Sequence, residues 1–195
     1  MATVTKFSDL DLTKQYSYSD YLLWQFQERV ELIKGFIMKM SPAPSMLHQR
    51  LANNLTGCFY ENLKRKPCSS FPAPFDVRLA EADEALGSSS NVVQPDVTVV
   101  CDKNKLDDKG ALGSPDLVIE ILSPSSLRRD TNEKFYLYER FGIKEYWIVD
   151  PDQKTIEVMT LAEFGFKTIQ VHSESSSLFT SPLLPDFSFP LKEIF

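Results

Sequence analysis

Gln94-Pro95-Asp96-Val97-Thr98-Val99-Val100 and Pro115-Asp116-Leu117-Val118-Ile119-Glu120-Ile121-Leu122 are two short strand-like runs, each carrying Pro-Asp at its start. The second is nearly continuously apolar, the pattern of a central strand covered on both faces. Side chains alternate along a strand, so Asp116, Val118, Glu120 and Leu122 share one face and Leu117, Ile119 and Ile121 the other. A glutamate inside so apolar a strand is costly to bury unless it is paired or metal-bound. A helix-patterned run follows, from Leu127 to Phe141, in which Asp130, Lys134, Leu137 and Phe141 form one stripe. Lys134 therefore points the way the buried residues point, and its ammonium needs an acid or a phosphate. Acids on neighbouring strands beside a lysine are what a magnesium-dependent phosphodiesterase requires. They hold a hard, hydrated cation next to the scissile phosphate and bring a positive charge or base to the attacking water.

Each of these residues also has a plainer reading. Glu120 could be salt-bridged to Arg128 or Lys134, and Lys134 could be a solvated lysine whose stem alone is covered. Asp96 and Asp116 both follow proline at a strand start, where an aspartate can simply cap; for Asp116 that is the preferred reading. Two carboxylates at the ends of adjacent strands repel unless a cation or proton lies between them. Mg²⁺ answers this with one or two carboxylates plus waters and phosphate oxygens.

Outward from these runs the chain alternates strands and helices. Ser17 to Gln27 reads as a short amphipathic helix, and Val30 to Met40 as two strands turning at Lys34-Gly35. Ser41 to Ser45 is a stiff Pro-containing loop ending at an N-cap. A helix then runs from Met46 to about Lys66, with Leu47, Leu51, Leu55 and Phe59 at helical spacing. Pro74 to Leu79 is a strand, Glu81 to Asn91 an acidic, Ser-rich hairpin loop, and Asp102 to Gly113 a polar loop. Gly142 ends the Leu127 helix, Glu145 to Asp150 is a strand, and Thr155 to Leu161 returns as its hairpin partner. The proline-punctuated tail from Ser175 to Phe195 forms short edge strands. The plan is a mixed α/β domain over 1–195, with 1–16 as a flexible or extended arm.

With 195 residues, 43% of them apolar, the chain can bury one real core. No apolar run approaches a membrane span, and no secretory signal is visible in the first residues. Three scattered cysteines (Cys58, Cys68 and Cys101) match no zinc spacing and no disulfide framework; they read as packing residues in a reducing cytoplasm. A net charge of −6 disfavours a simple nucleic-acid binder, whose phosphate contacts demand a basic face. An enzyme that meets phosphate through bound cations escapes that objection. Two histidines, His48 and His172, are too few for a dedicated zinc site. His48 with Gln49, and Arg128 with Arg129, stand near helix starts where they could touch a nucleic-acid backbone.

Taken together, these runs resemble the PD-(D/E)XK nuclease superfamily, and more closely the Uma-two family of restriction-endonuclease-like proteins. The matching stretches are Val30 to Ile37, Met40-Ser41-Pro42 with His48-Gln49, Phe75 to Leu79, Gln94 to Val97, Gly113 to Ser125, Asp130 through Lys134 and Glu145 to Pro151. The resemblance implies a restriction-endonuclease-like mixed β-sheet flanked by helices, with added N-terminal and C-terminal hairpins. It also implies hydrolysis of nucleic-acid phosphodiesters, DNA being the expected substrate, with Mg²⁺ or Mn²⁺. On it Asp96 and Glu120 are the metal carboxylates, Glu31 an acid that assists them, and Lys134 the lysine. The motif's lysine position is held by Leu122, so Lys134 must substitute from the adjacent helix. If it does not reach the acids, a catalytically idle module that binds nucleic acid or a protein partner remains. A homodimer is expected by analogy with enzymes that cut two strands, with Tyr21, Trp24 and Phe26 as a candidate contact patch.

Overall fold

The computed structural model describes residues 3–40, 43–80, 84, 88–124, 126–173 and 178–195. Most of the acidic loop expected from Glu81 to Asn91, Ser41-Pro42 of the stiff loop, and residues 174–177 at the start of the tail lie outside these. Among the described residues the strands, in chain order, are β1 (Val30–Ile33), β2 (Phe36–Lys39), β3 (Ser69–Pro72), β4 (Val77–Leu79), β5 (Asn91–Val93), β6 (Val97–Val100), β7 (Leu106–Asp107), β8 (Gly110–Leu112), β9 (Leu117–Ile121), β10 (Glu145–Asp150), β11 (Thr155–Ala162), β12 (Gly165–Ser173), β13 (Phe179–Thr180) and β14 (Ser188–Phe189). The helices are α1 (Tyr18–Tyr21), α2 (Met46–Leu63) and α3 (Phe135–Arg140), the last continuing a π-helical stretch over Arg129–Lys134.

The strands form two mixed sheets, ordered β2-β1-β5-β4-β8-β7 and β12-β11-β10-β9-β6-β3, with β13 paired to β14 in the tail. The three residues Gln94, Pro95 and Asp96 carry the chain from β5 of the first sheet into β6 of the second. This crossing places the site. β9 is central, antiparallel to β6 and parallel to β10, and every residue of it is buried, as its apolar run requires. One face of the second sheet packs Val97, Val99, Leu117, Ile119 and Trp147 against Leu51, Leu55, Phe59 and Leu63 of α2 and against Phe179, Phe187 and Ile194 of the tail. The other face packs Val118, Tyr146 and Ile148 against Leu137 and Tyr138 of α3 and against Val77, Leu79 and Val93 of the first sheet. The alternation along β9 thus divides two cores, and Glu120 falls on the Val118 side.

Local chemistry accounts for most boundaries. Lys34 and Gly35 both have positive φ, 54° and 80°, the geometry of a two-residue hairpin turn between β1 and β2. Ser45 caps α2 by accepting from the His48 amide. Glu145, wholly buried, accepts from Trp147 Nε1, Ser181 Oγ and the Leu183 amide, which pins the tail to β10.

Several expectations are corrected. The helix expected over Ser17–Gln27 is only Tyr18–Tyr21, closed by a Ser17–Asp20 capping box. Its continuation is taken by Val4 bridging to Trp24. Asp102–Gly113 is not simply a loop but contains the β7–β8 hairpin, and β3 and β12 were not anticipated. Tyr21, Trp24 and Phe26 are half-buried rather than a free patch: Trp24 stacks on Phe26 and meets Tyr21 at a tilt, and Phe7 of the N-terminal arm packs edge-on against Phe26. Cys68 and Cys101, immediately beyond the paired residues Ser69 and Val100, are joined in a disulfide, while Cys58 is free. Scattered spacing hid this pair because strand pairing, not sequence distance, brings the sulfurs together. The cysteines therefore no longer argue for a reducing compartment. No described helix is long and apolar enough to cross a membrane.

One backbone approach yields a prediction. A Cβ at Gly110, whose φ is +125°, would lie 2.2 Å from the Asp76 carbonyl oxygen, which accepts from the Ala111 amide. Gly110→Ala is expected to lower stability by about 2 kcal/mol or more, read by urea unfolding, because neither backbone can yield without breaking the β4–β8 pairing.

Candidate active site

Glu31 comes from β1 in the first sheet, Asp96 from the crossing, Glu120 from β9 and Lys134 from the π-helical stretch. The fold brings all four to one place. Lys134 Nζ lies 2.8 Å from Glu31 Oε1, 2.8 Å from Glu120 Oε1 and 3.8 Å from Asp130 Oδ1. Tyr138, one turn on, donates to the same Glu120 oxygen at 2.6 Å. Asp96 Oδ2 accepts from the Ile121 amide at 2.8 Å and faces His48 Nε2 at 3.2 Å, so Asp96 is tied to the residue that follows Glu120. A π-helical stretch is common at functional sites; here it carries both Asp130 and Lys134 into the core, where each is 2% exposed.

These groups line one side of a cavity of about 600 Å³, whose wall includes His48, Asp96, Glu120, Asp130, Lys134, Arg29 and Arg129. Glu31 does not line it. It is fully buried behind Lys134, with Oε1 also accepting from the Gln94 amide and Oε2 without a hydrogen bond, 3.8 Å from Arg129 Nη1. Arg129 reaches back to the Lys39 carbonyl. Gln49 and Arg128, expected near the backbone of a bound nucleic acid, are exposed and outside the cavity wall. Asp116 takes the strand-start role: Oδ2 accepts from the Cys101 amide and Oδ1 from Lys144. Leu122, at the motif's lysine position, belongs to the cavity wall and packs against the core on the Val118 side.

Electrostatics divide the carboxylates. Burial drives the Glu120 carboxyl well above its ordinary value even with Lys134 beside it, and it raises Asp130 for the same reason. Burial alone would raise Asp116 too, but Lys144 and the Cys101 amide outweigh it and hold that group low. For Lys134, burial works against the charge, yet Glu120, Glu31 and Asp130 together hold the ammonium protonated far above its usual range. For His48, burial opposes the charge but the Asp96 carboxylate outweighs it, so the ring takes a proton more readily than a free histidine.

Three acids lie within 4.0 Å of one lysine, with Asp96 beside them, so the carboxyls outnumber the ammonium and their full ionisation calls for a further cation or a proton. All the acidic donors are hard oxygens. Among the described residues no three metal-ligating side chains converge on a point. Mg²⁺ takes only one or two carboxylates and completes its shell with water and phosphate. Asp96 and Glu120, both on the cavity wall, fit that demand.

With this geometry in view, comparison with known proteins is decisive for the family. Residues 18–192 match the Uma2 family, described as "Putative restriction endonuclease". The chain belongs to this family. Two uncharacterized proteins of Synechocystis sp. (strain ATCC 27184 / PCC 6803 / Kazusa) are similar. One, sll1609, is 28% identical over 71% of this chain and 76% of its own length; the other, slr1290, is 28% identical over 73% and 72%. A crystal structure from Anabaena variabilis ATCC 29413, described as a putative nuclease belonging to DUF820, superposes with a TM-score of 0.66 at 20% identity, covering 85% of this chain and 89% of that one. The fold expected from the resemblance is therefore the fold observed.

Sequence reading missed four members of the site. Asp130 lies on the stripe of Lys134 but carried no site role in the sequence, and Tyr138, four residues beyond Lys134, has a helical spacing that could have flagged it. Gln94 directly precedes Pro95-Asp96, and Arg29 lies two residues before Glu31. His48 was singled out, but its contact with Asp96 joins residues 48 positions apart and has no local signature.

Proposed function

We propose that this Uma2-family protein is a divalent-metal-dependent endonuclease that hydrolyses phosphodiester bonds of DNA. The observation that carries the reading is that Glu31, Glu120 and Asp130 converge on Lys134 at a cavity wall that Asp96 completes. Asp96 and Glu120 would hold Mg²⁺ or Mn²⁺, which supplies charge for the scissile phosphate and a more acidic water. Lys134, lining the cavity, offsets negative charge developing on the phosphate as water attacks. Glu31, out of contact with the cavity, is a positioning residue that holds the ammonium from behind. Tyr138 fixes the inner oxygen of Glu120, and His48 and the Ile121 amide orient Asp96. Purified protein should nick plasmid DNA with Mg²⁺ or Mn²⁺ and not in EDTA; no cleavage under any of these conditions sinks the reading. Cutting both strands from one site per chain calls for a homodimer, measurable by light scattering.

The pH dependence follows from Glu120. Its carboxyl keeps a proton to higher pH than an ordinary glutamate, and metal binding must displace that proton. Mn²⁺ affinity and cleavage are therefore expected to rise as pH climbs above the ordinary glutamate value of 4.5, with proton release on binding. In the metal-free protein the same shift has the opposite sense. The folded state binds this proton more tightly than the unfolded chain, so its contribution to stability declines as pH rises above the ordinary 4.5. A flat Mn²⁺ affinity in calorimetry over that range contradicts the assignment of Glu120.

One observation favours the idle-module alternative: Lys134 is already paired with two carboxylates at 2.8 Å and is 2% exposed. Titration with Mn²⁺ separates the two readings, since an idle module shows no saturable heat.

A further inference from the structure

Arg29 lies just before β1 and joins the cavity wall. Its only hydrogen-bonded side-chain partner among the described residues is neutral: Nη2 donates to Gln94 Oε1 at 2.8 Å. No carboxylate of the described residues lies within 4.0 Å of it, and its Nε is buried without a hydrogen bond. A guanidinium beside a cavity, held by an amide and not neutralised by an acid, keeps its charge and its donors for an anion.

The amide that holds it is itself oriented. Gln94 Nε2 donates to Asp76 Oδ1 at 2.8 Å and to Tyr21 Oη at 3.2 Å, which turns Oε1 toward Arg29. An unconstrained glutamine could present either end. Here Asp76 is an acceptor that admits only the NH₂ end. The Gln94 main-chain amide meanwhile donates to Glu31, so one residue links the arginine to the Glu31–Lys134 pair.

We propose that Arg29 is a substrate-binding residue that grips a non-bridging phosphate oxygen of the nucleic-acid backbone at the cavity wall, and that Gln94 is its positioning residue. This rests on the nuclease reading for the nature of the substrate, but it is tested by binding alone.

The experiment measures affinity without divalent metal, over a series of salt concentrations, for a fluorescein-labelled DNA duplex and for the dinucleotide d(TpT). Wild type, Arg29→Gln, Arg29→Lys and Gln94→Met are compared, and thermal melting reports folding. Arg29→Gln should bind the duplex roughly five- to tenfold more weakly and lose about one ion from the salt slope. Gln94→Met should weaken binding while keeping the slope, because the charge remains but its direction is lost. A purely structural tie between Arg29 and Gln94 would shift melting without changing the slope. If Arg29→Gln melts well below wild type, Arg29→Lys decides: it should keep the slope and bind more weakly, and wild-type affinity there overturns the proposal. Equal affinity and slope for Arg29→Gln and wild type also overturn it, and plasmid nicking by both proteins would leave the nuclease reading standing. Arg29-dependent binding of d(TpT) by a protein that cleaves nothing supports the site and removes the nuclease. Failure of the wild type to bind either probe overturns the assignment of Arg29, while plasmid cleavage with Mg²⁺ or Mn²⁺ would leave the nuclease reading standing.

Discussion

Glu120→Gln and Asp96→Asn proteins are expected to lose metal-stimulated plasmid cleavage by at least about a hundredfold while remaining folded. The two substitutions are chosen because each removes a charge and little else. Asp96→Asn retains a side-chain oxygen for the Ile121 amide, the bond that ties this position to β9. Glu120→Gln keeps an acceptor for Tyr138 and leaves Lys134 with Glu31 and Asp130. A site that holds Mg²⁺ through only one or two carboxylates cannot spare one of them. The same proteins should show Mn²⁺ heats reduced to near baseline. Full cleavage by either variant would remove Asp96 and Glu120 from the chemistry. Loss of cleavage with undiminished Mn²⁺ binding would move the metal elsewhere.

Replacing Lys134 by methionine should have the largest effect on stability, a loss of about 3–5 kcal/mol in urea unfolding, together with loss of cleavage. The side chain is 2% exposed, and its removal leaves Glu31, Glu120 and Asp130 buried without their cation. The remedy open to the variant is to protonate them. Its deficit is therefore expected to shrink as pH falls, because protons replace the lysine. In wild type the raised pKa of Lys134 has the complementary sign: its stabilisation is present below the lysine's ordinary 10.5 and is lost only as pH climbs through the higher folded-state value. Adding Glu31→Gln to Lys134→Met should restore part of the loss, since Glu31 is the acid with no exposure at all. A deficit below about 1 kcal/mol, or one indifferent to pH, would mean that water reaches the cluster and that the acids are solvated.

Much of this arrangement was legible because it is encoded in periods. The alternation in Asp116–Leu122 placed Glu120 on the Val118 face, and the helical stripe placed Asp130 and Lys134 inward; both follow from backbone geometry that acts over a few residues. Pro-Asp at two strand starts was ambiguous, and the ambiguity divided as local chemistry allows. Asp116 met Lys144 and a main-chain amide, whereas Asp96 opened onto the cavity. What stayed hidden depends on pairings between distant segments. The disulfide between Cys68 and Cys101 follows from the register of β3 with β6, and the Phe7 contact that covers Phe26 follows from how the arm lies down.

The strand pattern, the helix stripe and the acids they carry are properties of the sequence, since propensity and hydrophobic period act locally. Tertiary structure alone decided that the lysine displaced from position 122 would return from the π-helical stretch, within 2.8 Å of an acid from each sheet. It also decided that Gln94 would turn its oxygen to Arg29. Those outcomes depend on where two sheets and a helix come to rest against one another. Close packing of the two cores sets that distance, and no local spacing contains it.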